Sequence, residues 1–179
     1  MFVTQDVDAE TRDARLAIQG NAAARDRLFE AVYARILRYH RKLSAGKPAL
    51  AEELTQETMV RVIRSFDQLR EPERVLPWAF RIATNVWRDQ HRPKGLPPAE
   101  VPAEASGGGR AAERLELAQR ILDELGRLPE TYRVVLTLRY LEGLEYEAMA
   151  DVLDTPVPTL RSQIARGRQM IRRQLGEER

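Results

Sequence analysis

Apolar residues recur every three or four positions through most of the chain, the spacing that lays one face of an α-helix on a core. Phe29, Val32, Tyr33, Ile36, His40 and Leu43 form one such stripe, predicted to stop near Ala45, Gly46, Lys47 and Pro48. Leu50, Leu54, Thr58, Val62 and Phe66 form a second, interrupted past Leu69 by Arg70, Glu71 and Pro72. A third helix is expected to open near Pro77, since a first turn tolerates a missing amide donor. It should run to about residue 91, because Pro93 blocks continuation. Period-two alternation of β-branched residues is absent, so no strand is predicted.

Over residues 93–112 the pattern lapses. Pro93, Pro97, Pro98 and Pro102 precede Ser106, Gly107, Gly108 and Gly109, a Pro-rich extended part followed by a Gly-rich coil. Helical stripes then resume with Leu115, Ala118, Ile121, Leu122 and Leu125, and Leu128, Pro129 and Glu130 punctuate them. A helix from Tyr132 to Leu141 is closed by Gly143; a short one spans 145–153 and a last one 157–175. The expectation is an all-α chain of two small helical domains, 1–92 and 113–179, joined by a flexible linker over 93–112.

Charge sharpens this picture. The formal net charge is only +2, but its distribution is uneven. Asp6, Asp8, Glu10 and Asp13 stand against Arg12 alone at the N-terminus, whereas residues 155–175 hold Arg161, Arg166, Arg168, Arg172 and Arg173 and no acid. A basic end of this kind suits a polyanion. With no cysteine, thiolate metal sites and disulfides are excluded. His40 and His91 are far apart, and the three consecutive glycines sit in the linker and do not follow a strand. No metal, cofactor or catalytic set is therefore expected. No basic start followed by an apolar run marks a signal peptide, and no stretch approaches the roughly 20 apolar residues of a membrane span, so a cytoplasmic location is expected.

The chemistry concentrates in the last two helices. Asp154, Thr155, Pro156 and Val157 make a tight turn between them, the layout of a helix-turn-helix whose second helix enters the DNA major groove. At 100° per residue, Val157, Leu160, Ile164, Ile171 and Leu175 share the core side. Ser162, Arg166, Gln169 and Arg173 project opposite, Thr159 lies beside them, and Arg161, Arg168 and Arg172 flank the stripe. Arginine forks match guanine edges and phosphates, and Ser, Thr and Gln suit either target. Helix-opening amides near Thr159 are expected to add an anion site.

Residues 128–130 (Leu-Pro-Glu), 136–140 (Leu-Thr-Leu-Arg-Tyr), 143–150 (Gly-Leu-Glu-Tyr-Glu-Ala-Met-Ala) and 155–162 resemble region four of the sigma factor family. Residues 52–58 (Glu-Glu-Leu-Thr-Gln-Glu-Thr) resemble the core-binding part of its region two, and 77–85 (Pro-Trp-Ala-Phe-Arg-Ile-Ala-Thr-Asn) the promoter-opening part. The economy of two regions and a linker resembles the extracytoplasmic-function group. The resemblance implies a transcription initiation factor, not an enzyme. Its expected partners are core RNA polymerase, duplex minus-thirty-five and single-stranded minus-ten promoter DNA, and an anti-sigma factor. It assigns Glu53, Gln56 and Glu57 to polymerase docking, although an exposed helix face with Glu57 paired to Arg61 explains them too. It assigns Asn85 to a flipped minus-ten base, Arg81 and Arg88 to single-strand phosphates, and the 69–76 loop to the pocket wall. Trp87 has two readings, stacking on an unpaired base or packing in the core. A dimeric operator-binding regulator is the main rival, and it would leave the Gln56 and Asn85 motifs idle. An interaction protein that mimics a sigma factor to sequester an anti-sigma factor is the second. The arginine-rich last helix and Asn85 speak against it.

Overall fold

The computed structural model describes residues 3–45, 47–91 and 110–176, with side chains over 8–45, 47–90 and 117–176. Among the described residues every regular element is helical: α1 (Val3–Ile18), α2 (Ala22–Leu43), α3 (Pro48–Ser65), α4 (Val75–His91), α5 (Arg110–Arg127), α6 (Glu130–Leu136), α7 (Tyr146–Leu153) and α8 (Val157–Gln174). Short 3₁₀ turns at Phe66–Gln68 and Pro72–Arg74 carry α3 into α4, and a π-helical turn at Thr137–Leu141 prolongs α6. Most of the expected linker lies outside the described residues. Its end, 110–112, is already helical as the start of α5.

Helix α1 was not legible as a stripe because its buried face consists of Glu10, Asp13, Ala14 and Ala17. Two acids and two alanines give no hydrophobic signal. The acids are neutralised by α2: Asp13 accepts from Arg27 at 2.6 Å, and Glu10 forms a two-pronged pair with buried Arg35. The Arg27 hydrogen bond holds the Asp13 carboxyl below its ordinary range. Gly20, at φ +91°, lets the chain reverse; the Asn21 amide bonds back to the Leu16 carbonyl while the Asn21 side chain caps the Ala24 amide of α2 at 2.9 Å.

The buried face of α2 is centred on Leu28, Val32, Ile36, Tyr39 and Leu43, packed against Leu54 and Val62 of α3 and Phe80, Ala83 and Val86 of α4. Each fully buried side chain of this size contributes about 1.5–3 kcal/mol. Tyr33, expected on the stripe, is 40% exposed, and Tyr39 takes the core position. The Tyr39 hydroxyl meets Thr84 Oγ1 at 2.9 Å, and its ring stands edge-on to Phe80. In the C-terminal module α8 crosses α6 at Gly167, while α7 packs on α8. The α5 stripe is only partly buried: Leu125 is covered, but Leu117 and Ile121 open onto a groove shared with Tyr140, Ile171 and Leu175. One side of that helix has fewer neighbours than its periodicity suggests.

His40 is fully enclosed, 3.1 Å from Thr55 Oγ1 and 3.3 Å from the Ala83 carbonyl, to which Nε2–H donates. Burial pulls its pKa down to about 4 from 6.5. The unfolded chain therefore binds a proton that the folded chain refuses as pH falls below about 6.5. Stability should fall between about pH 7 and about pH 5 by on the order of 2 kcal/mol from this group. Urea denaturation across that window should show the slope in the parent and a flatter one in His40→Gln. Equal slopes would remove His40 as the cause.

Candidate nucleic-acid interface

Leu160, Ile164 and Gly167 form the buried side of helix α8, and Thr159, Arg161, Ser162, Arg166, Arg168, Gln169 and Arg173 are all exposed. Thr159, Ser162, Arg166, Gln169 and Arg173 share the outward side; Arg161 and Arg168 sit on the flank, Arg168 along the groove with Leu117, Ile121 and Leu175. The height of α8 above α6 is set at Gly167, where a Cβ would come within 2.9 Å of Leu136 Cδ1 and 3.2 Å of Tyr132 Cβ. Arg161 is held from below: its guanidinium lies 5.2 Å from the Tyr146 ring centroid, and Arg139 lies 5.1 Å from the same ring. Arg139 is itself fixed by Glu145 at 2.9 Å and the Leu144 carbonyl at 2.8 Å. The anion site expected at the helix opening is weaker than anticipated. The Thr159 and Leu160 amides both bond to the Pro156 carbonyl, and Pro158 carries no N–H.

On α4, Arg81, Asn85 and Arg88 are exposed. The turn region before α4 does wall a cavity of about 290 Å³, lined by Leu69, Arg70, Glu71, Arg74, Trp78 and Arg81 among others. Asn85, one turn beyond Arg81, is not among its lining residues. Arg88 is half engaged, donating to the Leu153 carbonyl of α7 at 3.3 Å. On α3, Glu53, Gln56 and Glu57 are exposed together with Val60 and Ile63, at 47% and 53%. The Glu57–Arg61 pair is present at 2.5 Å, and Arg61 reaches on to Asp89 of α4 at 3.4 Å.

What sequence reasoning missed is the seam between the modules. Glu142, 1% exposed, accepts two hydrogen bonds from Arg38, at 2.9 and 2.7 Å, with Arg35 3.8 Å away. Arg133 donates to the Leu43 carbonyl at 2.6 Å, and Arg74 pairs with Asp151. Trp87, 3% exposed, packs in this seam and donates from Nε1 to Glu130 at 2.8 Å, which settles its two readings in favour of packing. No signal in the sequence links partners so far apart along the chain.

Comparison with known families covers both modules. Residues 28–95 match the model of Sigma-70 region 2, and residues 118–171 match that of Sigma-70, region 4. The chain belongs to the extracytoplasmic-function (ECF) group of the sigma-70 family. Among curated relatives, it is similar to the ECF RNA polymerase sigma-E factor of Haemophilus influenzae, 33% identical over 66% of this chain and 71% of that one. It is similar also to the ECF RNA polymerase sigma factor SigW of Bacillus subtilis, 30% identical over 70% of this chain and 75% of that one. The fold is shared with CnrH in complex with the cytosolic domain of CnrY (TM-score 0.67, 26% identity, 96% of this chain and 99% of that one). It is shared too with the sigma factor RpoE in complex with the anti-sigma factor NepR from Bartonella quintana (TM-score 0.69, 20% identity, 86% of this chain and 98% of that one). The sigma factor is thus an alternative transcription initiation factor. Its region 2 match takes in most of α2 and all of α3 and α4; α5 enters the region 4 match at residue 118, which also takes in α7 and all but the last turn of α8.

The close approach at Gly167 makes the region 4 geometry testable. Gly167→Ala should push α8 away from Tyr132 and force Leu136 to shift, an overpacking cost that the gain of about 0.8–1.0 kcal/mol from replacing Gly inside a helix partly offsets, leaving stability lower by about 0–2 kcal/mol. Thermal unfolding measures the net effect, and binding to a minus-thirty-five duplex measures the tilt of α8. A melting temperature raised by the full helix gain would show that the crossing yields freely.

Proposed function

We propose that this sigma factor divides promoter recognition among three exposed helix faces, and that it works by selective binding without chemistry of its own. The α3 face of Glu53, Gln56 and Glu57 docks on core RNA polymerase, and exposed Val60 and Ile63 supply the apolar part of that contact. The α8 face of Thr159, Arg161, Ser162, Arg166, Arg168, Gln169 and Arg173 reads the minus-thirty-five duplex. Asn85 takes a minus-ten base, and Arg81 and Arg88 neutralise the displaced strand. The observation that carries this reading is the exposure of every expected contact on α8, with Thr159, Ser162, Arg166, Gln169 and Arg173 opposite a buried, Gly-set underside. Residues 1–92 would then serve opening, 113–179 duplex reading, and 93–112 the connection.

An anti-sigma factor is the natural regulator, in keeping with the two solved relatives described with NepR and CnrY. We place the protein in the cytoplasm with the polymerase; among the described residues no helix is long and apolar enough to cross a membrane. Binding energy for the displaced strand offsets unpairing, so no hydrolysis by this subunit is required. Reconstitution with core polymerase and sequencing of transcript start sites tests the whole reading. Stoichiometric binding to core enzyme separates it from a dimeric regulator.

Two side-chain deletions test its parts. Arg166→Ala or Arg173→Ala should weaken minus-thirty-five recognition by about 1–3 kcal/mol where a base is read, less for a phosphate, and leave core binding intact. Unchanged transcription from a promoter dependent on that element, in both variants, would remove α8 from the role. Asn85→Ala should change stability by only ~0.5 kcal/mol yet reduce open-complex formation and relax preference at one minus-ten position. Permanganate footprinting on single-base promoter variants reads this out. Opening of every variant at the parental rate would leave Asn85 a surface residue.

A further inference from the structure

The segment that joins α3 to α4 is buried only at its ends. Leu69 and Val75 enter the core, and between them only Pro72 is partly covered; Arg70, Glu71, Glu73 and Arg74 are exposed. The 3₁₀ turn at Pro72–Arg74 closes on itself, with the Arg74 amide on the Glu71 carbonyl at 3.0 Å and the Val75 amide on that of Pro72. Such a turn keeps its shape, but its place must be fixed from outside. Among the described residues, two ion pairs tie its side chains to other helices: Arg74 to Asp151 of α7, and Glu73 to Arg15 of α1 at 2.6 Å. Asp151 belongs to region 4. The tie within the module that carries the turn is therefore Arg15–Glu73.

Helix α1 is a firm base for that tie. Glu10 pairs in two-pronged fashion with buried Arg35, and Asp13 accepts from Arg27 at 2.6 Å. Two forked pairs a turn apart set both the rotation and the register of α1 on α2. The same helix packs against the 72–74 turn and against α4. The Glu73 carboxyl is held below its ordinary range, first by its own backbone amide and then by Arg15, so one carboxylate joins turn to helix. All of α1 precedes the residues matched to region 2, which begin at 28.

Glu73 does not line the cavity of about 290 Å³, but its neighbours Glu71 and Arg74 do, with Arg70 before them and Trp78 and Arg81 of α4 after. Hydrogen bonds weaken steeply once donor and acceptor are misaligned, so a small shift of the turn alters what its guanidinium groups can hold. The Arg15–Glu73 pair is more than half exposed on both sides, so the fold itself draws little from it. We propose that Arg15 is a positioning residue for promoter recognition: through Glu73 it holds the 70–74 turn where that turn discriminates a minus-ten base. This rests on the minus-ten reading of α4 given above. Neither member of the pair touches DNA; both act through the residues that wall the cavity.

The test uses the full chain in holoenzyme on promoters that differ at single minus-ten bases, with open-complex formation measured for each. Arg15→Ala and Glu73→Gln should each reduce the preference at one minus-ten position by about twofold to fivefold. The double variant should lose no more than either single one, because the two residues act as a unit. Arg15→Lys, which keeps the charge, should lose less than Arg15→Ala. Core binding and the melting temperature should stay at parental values throughout, and Glu73→Gln serves if Arg15→Ala does not fold. A uniform fall on every promoter with the preference intact overturns the positioning role, and additive losses in the double variant overturn the pair as its means. Arg81→Ala, within the cavity, separates this inference from the reading beneath it. If Arg81→Ala changes the preference and Arg15→Ala does not, the α4 reading stands and the strut falls. If neither changes it, the α4 reading is overturned and the strut with it.

Discussion

A carboxylate out of reach of water must find its counter-charge inside the protein, and Glu142 imposes that requirement on the whole chain. At 1% exposure it has Arg38 and Arg35 beside it, and Arg35 is in turn paired with Glu10 of α1. A buried carboxylate left without its counter-charge is costly, so the chain just past α6 is tied to α2. From that point the remaining geometry is passed along by contact. Helix α8 follows α6 through Gly167, and α7, packed on α8, is carried onto α4. Helices α1, α2 and α8 are in this way parts of one electrostatic and steric chain.

The two kinds of contact along the seam differ in what they can do. The buried Glu142 carboxylate gives register, because few other positions could supply it with the half-exposed Arg38 and the buried Arg35 together. Exposed pairs such as Arg74–Asp151 add little energy each, since water and salt compete for them. The seam thus joins a buried carboxylate and the buried Trp87 ring to exposed pairs that water and salt weaken.

Much of this was legible beforehand, for a physical reason. Helices whose inner face is leucine, isoleucine and valine announce themselves by period: α4 and α8 were legible close to their observed limits, α2 without its first turns, and α3 with an end a turn too late. The exposed arginines of α8 followed from the same arithmetic, since a helix fixes both of its faces at once. Helix α1 was missed because acids paired with Arg27 and Arg35 occupy its inner side, and a buried ion pair looks polar in a sequence. The α5 stripe was read as core although part of it lines an open groove, since periodicity reveals an apolar face but not its neighbours. The π-helical turn and the Trp87–Glu130 and Arg38–Glu142 contacts had no local signature at all. The two contacts join residues 43 and 104 positions apart, and only the folded chain brings them together.

The crossing of α8 over α6 at a glycine has a consequence for how such a protein can diversify. Support for the reading helix comes from Leu160, Ile164 and the bare backbone at Gly167, none of which faces outward. Ser162, Arg166 and Gln169 stand on the other side and bear no packing duty. If these positions read the duplex as proposed, they can be exchanged one by one, retuning which promoters are chosen, while the platform beneath them stays as it is. A lineage could acquire a new regulon this way without passing through an unfolded ancestor.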